Sequence, residues 1–137
     1  MDIICKATDL MNNCHDITLA SVNENGYPRI CVLSKIKSEG IKKVYTATGI
    51  IGTKTKHFLV NPRASVCVWE GGNSITLIGI IRVTQDRAIL EEMWLDWFIE
   101  YFPGGIDDSN YCILEFTTEE ATLLIDGEFI TVGGNEL

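Results

Sequence analysis

Apolar positions at the start of the chain recur at helical spacing. Ile3, Ala7, Leu10 and Cys14 form one stripe, widened by Ile4 and Met11. Residues 2–13 are therefore expected as an amphipathic helix capped by Asp2 and ended by Asn12-Asn13. The period then changes to two. Residues 17–23 and 29–36 read as strands, and the Glu24-Asn25-Gly26 between them carries the Asn-Gly pair of a tight hairpin. Ser38-Glu39-Gly40 reads as a turn leading into a strand at 44–48, followed by a loop at 49–52 and a short helix at 53–60 that Asn61-Pro62 stops. Residues 64–69 and 74–84 are the next strands, joined by Gly71-Gly72-Asn73. In the second, Ile75, Leu77, Gly79, Ile81 and Val83 share a face, and the glycine marks a bend or a close approach.

Residues 87–101 return to helical period, with Leu90, Trp94, Trp97 and Tyr101 on one face beside Met93 and Phe98, and Glu91, Glu92, Asp96 and Glu100 opposite. That aromatic stripe reads as a packing face. Residues 102–108 form a loop and 111–117 a strand. Residues 121–125 and 129–132 flank Asp126-Gly127, another hairpin signal, and 133–137 read as a flexible tail. Strands joined mostly by tight turns, with three helices among them, do not alternate as βαβ units do. The expected fold is mainly β with flanking helices: a small antiparallel barrel, closed to remove exposed edges, in one domain spanning residues 1–137.

Composition narrows the function. A chain of 137 residues that is 46% hydrophobic can bury a core. Its 11 Lys+Arg against 19 Asp+Glu give a formal charge of -8, which disfavours nucleic acid and anionic membranes as partners. No signal-peptide h-region and no membrane-length apolar run is present, so a cytosolic location is expected. The five cysteines are scattered with no C-x-x-C pair, and read as thiols in a reducing compartment. His15 and His57 lie near no useful cysteine, and no metal site is expected.

The candidate chemistry lies in YTATGIIGTKTKHFLVNP, residues 45–62. A strand end there meets a helix start, whose first turn leaves backbone N–H groups without intrahelical partners. Gly52, Thr53 and Lys54 could seat a phosphate through amides, a hydroxyl and an ammonium, with Thr48 adding a second hydroxyl across the loop. The same residues also fit a solvated helix with Lys54 and Lys56 facing water. Neither Walker nor Rossmann glycine spacing is present. Glu91/Glu92 and Asp107/Asp108 are adjacent acids that read as solvated surface, so no paired-carboxylate site stands out.

With these segments in place, the chain resembles the pyridoxamine 5'-phosphate oxidase-like superfamily of FMN-binding split barrels, and within it the general stress protein group. The segments that carry the resemblance are ITLASVNENGYPRI, YTATG, the K-x-x-x-x-L-x-NP of the central stretch, LIGIIRVTQD and YFPGGIDDSNYCILEFTTEEA. It implies a split antiparallel β-barrel, a homodimer, and FMN in a groove at the subunit interface. It further implies a flavin-dependent oxidoreductase acting on a small molecule, with NADH or NADPH as a candidate electron donor. The superfamily also contains proteins that bind flavin without turnover and barrels that take haem or a deazaflavin.

By the same resemblance Thr48 corresponds to the strand-end threonine and Lys54 to the lysine that meets the flavin phosphate. Thr53 stands where the family often has a basic residue or serine, and Gly52 where it often has serine. Cys31 falls at an arginine position of the oxidases. Arg29, two residues away on the same strand face, either reaches the phosphate instead or is a surface charge. Cys31 itself is either a small apolar filler or a thiol near the ring. Val32, Ala47 and Gly49 could offer main-chain groups to the ring and ribityl chain, and Ser74 matches a position contributed by the partner subunit. The additional C-terminal Arg-x-His element of authentic pyridoxamine 5'-phosphate oxidases is missing.

Overall fold

The computed structural model describes residues 2–137. Helix α1 spans Ile3–Asn13, and the Asp2 carboxylate accepts the Cys5 N–H at 2.8 Å as its N-cap. The amphipathic stripe faces the barrel, burying Ala7 and Met11 completely. At the other end the Lys35 ammonium donates to the Met11 and Asn12 carbonyls at 2.5 and 3.1 Å, satisfying groups that the last turn leaves open.

Eight strands follow in one sheet: β1 (Asp16–Val22), β2 (Pro28–Ser34), β3 (Lys37–Glu39), β4 (Lys43–Gly49), β5 (Arg63–Glu70), β6 (Asn73–Thr84), β7 (Tyr111–Ile125) and β8 (Glu128–Gly133). Helix α2 (Thr53–Val60) connects β4 to β5, and α3 (Arg87–Met93) follows β6. The order is β2-β1-β5-β6-β7-β4-β3, with β8 added to β7 and every pairing antiparallel. One flank of β7 is shared: its first part, Tyr111 to Thr117, bonds β4, and its last part, Glu120 to Ile125, bonds β8.

Alternating side chains fill the interior. Ile17, Leu19, Val44, Val66, Ile75, Leu77, Leu114, Phe116 and Leu123 pack there with Ala7 and Met11 of α1 and Phe58 of α2. After β2 the chain crosses to β4, where the Ile36 N–H donates to the Tyr45 carbonyl at 2.9 Å, but β2 and β3 remain unpaired on their outer edges. The barrel is split at this seam. Outside it, α3 and a 3-10 turn at Asp96–Glu100 cover the β4–β7 face, burying Leu90, Met93, Phe98 and Phe102 on Tyr45, Tyr111 and Ile113. The Tyr111 hydroxyl donates to the Leu90 carbonyl at 2.9 Å, and burial pushes its pKa up to about 12.

Gly79 shows why β6 needs a residue without a side chain. A Cβ there would lie 2.0 Å from the Thr117 carbonyl oxygen, at a register shift between Ile78 and Gly79.

Four expectations are corrected. The helix expected over 87–101 breaks after Met93: Trp94 is extended, and the bend lets Phe98 and Phe102 both reach Tyr111, with centroids 5.8 and 5.2 Å away. The strands expected at 111–117 and 121–125 are one, because the β6 ladder continues past the polar Thr118-Glu119-Glu120. Residues 38–40 are not all turn, since Lys37–Glu39 forms the short strand β3 and only Gly40 has positive φ. The C-terminal residues, read as a loose tail, form a 3-10 turn at Gly134–Glu136 and pack Leu137 against the core.

Candidate functional site

The split leaves a cleft of about 490 Å³ outside the barrel. Val32 and Ser34 of β2 form one wall and Ala47 of β4 its floor. Trp97, Phe98, Tyr101 and Phe102 form the opposite wall, and Thr48, Gly49, Lys54 and Asn110 close one end.

That end is built by hydrogen bonds around a sharp strand-to-helix connection. Asn110 accepts the Ile50 N–H at 2.8 Å with its main-chain oxygen and the Ile51 N–H at 3.2 Å with Oδ1. The Gly49 carbonyl accepts the Gly52 N–H at 3.1 Å and the Thr55 hydroxyl at 2.7 Å. Gly49 cannot carry a side chain here, because a Cβ would sit 2.8 Å from Asn110 Nδ2. Gly52 is the N-cap of α2 and offers no side-chain acceptor, so the first-turn amides are open to an anion. Ser21 Oγ lies 2.8 Å from His57 Nδ1, tying α2 to β1.

Electrostatically the cleft has one sign. Lys54 is the only charged side chain in its lining, and among the described residues it belongs to no ion pair. The lining holds no Asp, Glu, His, Cys or Met. Behind it the Cys112 thiol donates to the Thr48 carbonyl at 3.3 Å, and burial pushes its pKa up to about 11 against the opposing influence of Thr55 and Lys54. That thiol is protonated at neutral pH and acts as filling.

The cleft thus brings together Val32, Ala47, Thr48, Gly49 and Lys54 of the expected residues. Thr53 starts α2 beside it, exposed and outside the lining. Cys31 and Arg29 do not join the lining within one chain. Side chains alternate along β2, so with Val32 on the cleft wall Cys31 turns inward, packs on the core and directs its thiol at the Leu19 carbonyl, 3.7 Å away. Arg29, two residues before it, is exposed and lines no wall of the cleft. Ser74 lies at the start of β6 opposite Leu124, toward the far end of β7 from Cys112. Within one chain it does not join the site.

The sequence reading omitted Ser34, Ile36, Asn110 and the aromatic wall. Trp97 and Tyr101 were assigned to packing, yet they are 47% and 66% exposed, and it is Phe98 that packs. Their rings stand nearly perpendicular, 6.0 Å apart.

Next to the cleft, the outer face of the sheet carries rows of mainly short side chains with a few large apolar ones. Strand register places Val32, Thr18, Cys67, Thr76, Thr122 and Thr131 in one row across six strands, with Ile30, Ala20, Ser65 and Ile78 in the next. Ile30, Val32, Trp69 and Phe129 on this face are each at least two-thirds exposed.

The family described as pyridoxamine 5'-phosphate oxidase matches residues 6–125. Among solved structures, a Clostridium acetobutylicum protein related to general stress protein 26 of Bacillus subtilis, of the pyridoxinephosphate oxidase family, is 27% identical over 99% of both chains, with a TM-score of 0.85. General stress protein 26 of Bacillus anthracis is 19% identical over 96% of this chain and 100% of its own, with a TM-score of 0.80. A haem-binding protein of Mycobacterium smegmatis has the same fold at 16% identity, covering 98% of this chain and 59% of its own, with a TM-score of 0.80. No curated protein matches the chain.

Proposed function

This chain belongs to the pyridoxamine 5'-phosphate oxidase family, and on that premise we propose that it is a homodimeric FMN-binding protein acting as a flavin-dependent oxidoreductase on a small molecule. The observation that carries the reading is the unpaired Lys54 ammonium beside the uncapped first turn of α2, in a cleft otherwise free of charge.

The residues present fit the cofactor. A phosphate dianion placed at Lys54 gains charge-assisted hydrogen bonds from the ammonium and the α2 amides, with the Thr48 hydroxyl on the same cleft wall. The barrel interior is filled by side chains, so a tricyclic ring must lie outside it, against Val32 and Ala47. FMN supplies the two-electron chemistry itself when bound. The chain's task is to hold the anionic tail, present main-chain groups at 47–49 to the ring, and exclude water with the aromatic wall. The lining has no carboxylate or imidazole, and its titratable side chains are the Tyr101 phenol and the Lys54 ammonium. The lining holds no histidine, cysteine or methionine that would hold a haem iron, which supports flavin over haem.

Shape supports a second subunit. Val32 belongs both to the cleft wall and to the outer-face row of short side chains. A copy laid on that face would cover the exposed Ile30, Val32, Trp69 and Phe129 and close the cleft. In such an assembly Ser74 of the partner subunit is the candidate that approaches the site.

Freshly purified protein is expected to be yellow, to release FMN, and to sediment as a dimer. At a hundredfold excess over Kd, FMN should stabilise it by ~2.7 kcal/mol, read as a rise in Tm. Lys54→Ala should reduce the preference for FMN over riboflavin by about tenfold or more. A colourless protein with no thermal shift in FMN would defeat the proposal. Oxidation of NADH or NADPH by the loaded protein separates a turning-over enzyme from a flavin carrier.

A further inference from the structure

Asn110 is held from three sides. Its N–H donates to Asp108 Oδ1 at 2.9 Å, while the other Asp108 oxygen accepts the Gly104 N–H at 3.0 Å and so fixes the loop before it. Its main-chain oxygen accepts from Ile50 and its Oδ1 from Ile51. Because a main-chain N–H can only donate, the Ile51 contact settles which end of the amide is oxygen. The NH2 end then lies over Gly49, at the closed end of the cleft whose lining also contains Thr48 and Lys54. Among the described residues no protein acceptor takes a hydrogen bond from Nδ2.

We propose that Asn110 is a ligand-binding residue whose Nδ2 donates to an oxygen of the phosphorylated tail, making it, beside Lys54, a determinant of selectivity for FMN over riboflavin. The inference rests on the flavin reading above. Two donors with different constraints then meet one anion: a lysine on a flexible stem, and an amide whose position the Gly49 to Gly52 loop fixes. Such a donor costs little to order on binding, because the loop has already ordered it.

Asn110→Asp keeps the oxygen that Ile51 needs but replaces the NH2 by an acceptor and adds a negative charge, so the neutral Asn110→Ala is measured beside it, and the loss must appear in both. FMN affinity, read by flavin fluorescence, should fall by about tenfold or more, and riboflavin affinity by less than about threefold. In unsubstituted protein the Asn110 side-chain NH2 resonances, assigned by their loss in the variant, should move on saturation with FMN and move less with riboflavin. Resonances that stay in place at saturation overturn the assignment even if the variant folds poorly. So does a folded variant that binds FMN as tightly as the original chain. A wild-type chain that binds no FMN defeats the flavin reading, and this inference with it.

Discussion

Replacing Gly79 by alanine tests how tightly β6 and β7 are pressed together. The added Cβ would lie 2.0 Å from the Thr117 carbonyl oxygen, 2.9 Å from its carbon and 3.0 Å from Phe116 Cζ. Carbon and carbonyl oxygen do not approach closer than about 3.3 Å, so the strands must separate locally by roughly 1.3 Å. Thr117 and Phe116 belong to the ladder that also carries β4, and neither can swing away as a surface side chain could. Overpacking of this kind costs about 1–3 kcal/mol. Two or so ladder hydrogen bonds stretched at the register shift add about 1 kcal/mol each. A loss of about 3–5 kcal/mol is a large part of the ~5–15 kcal/mol that holds a domain of this size together. At roughly 3–5 °C per kcal/mol, Tm should fall by about 10–25 °C. Urea and thermal melts followed by circular dichroism measure it, with Gly71→Ala as the comparison. Gly71 has φ +56° but nothing within 4 Å of its would-be Cβ, so that change carries backbone strain of about 1 kcal/mol without a collision. A Gly79→Ala protein that melts no lower than Gly71→Ala refutes the close approach.

Acid should weaken the protein through Glu115. Burial resists its ionisation, but Arg82 at 3.1 Å and Lys43 at 3.4 Å outweigh burial and hold its pKa below the ordinary value. A depressed folded pKa gives stability that is complete above the unfolded value and is lost as pH falls through the folded one, so the loss begins below about pH 5. Glu115→Gln should flatten that acid limb, and an unchanged limb counts against the pairing. The cysteines report on assembly. Exposed Cys5 should react with a thiol reagent in native protein and Cys112 only after denaturation. Cys67, exposed in one chain but central on the outer face, should be shielded at concentrations where sedimentation gives a dimer. Equal labelling of Cys67 in dimer and monomer would place the interface elsewhere.

Local chemistry made parts of this molecule legible in advance. The Asp2 cap, the Asn25-Gly26 hairpin and the helix stopped by Asn61-Pro62 each depend on a few adjacent residues, and α2 occupies the expected span. The alternation in β6 pointed correctly to Gly79. Tertiary packing erased other signals. Trp94 and Phe98 lie four residues apart as in a helix, yet the demand of Tyr111 for neighbours on two sides bends the chain between them. The polar Thr118-Glu119-Glu120 split one strand into two expected ones, at the point where one flank of β7 changes partner from β4 to β8 while the other stays paired to β6.

The cleft was half legible for the same kind of reason. Thr48 and Lys54 sit at a strand end and a helix start, which one sequence shows. Of β2, Val32, Leu33 and Ser34 reach the cleft and Cys31 does not, a limit set by where the strand passes the opening rather than by residue type. Asn110, within Asp107-Asp108-Ser109-Asn110, is indistinguishable from an ordinary turn residue until Ile50 and Ile51 are brought beside it.

The position of β7 in the chain has a consequence for synthesis. Strands β4 and β6 leave the ribosome first, and both wait for the same partner, which begins at Tyr111. Until then each presents a bare edge of unbonded amides and carbonyls, the kind of surface that recruits another nascent chain. A translation product truncated before Tyr111 would be a client for chaperones rather than a smaller barrel, because the strand that joins its two halves is made after both.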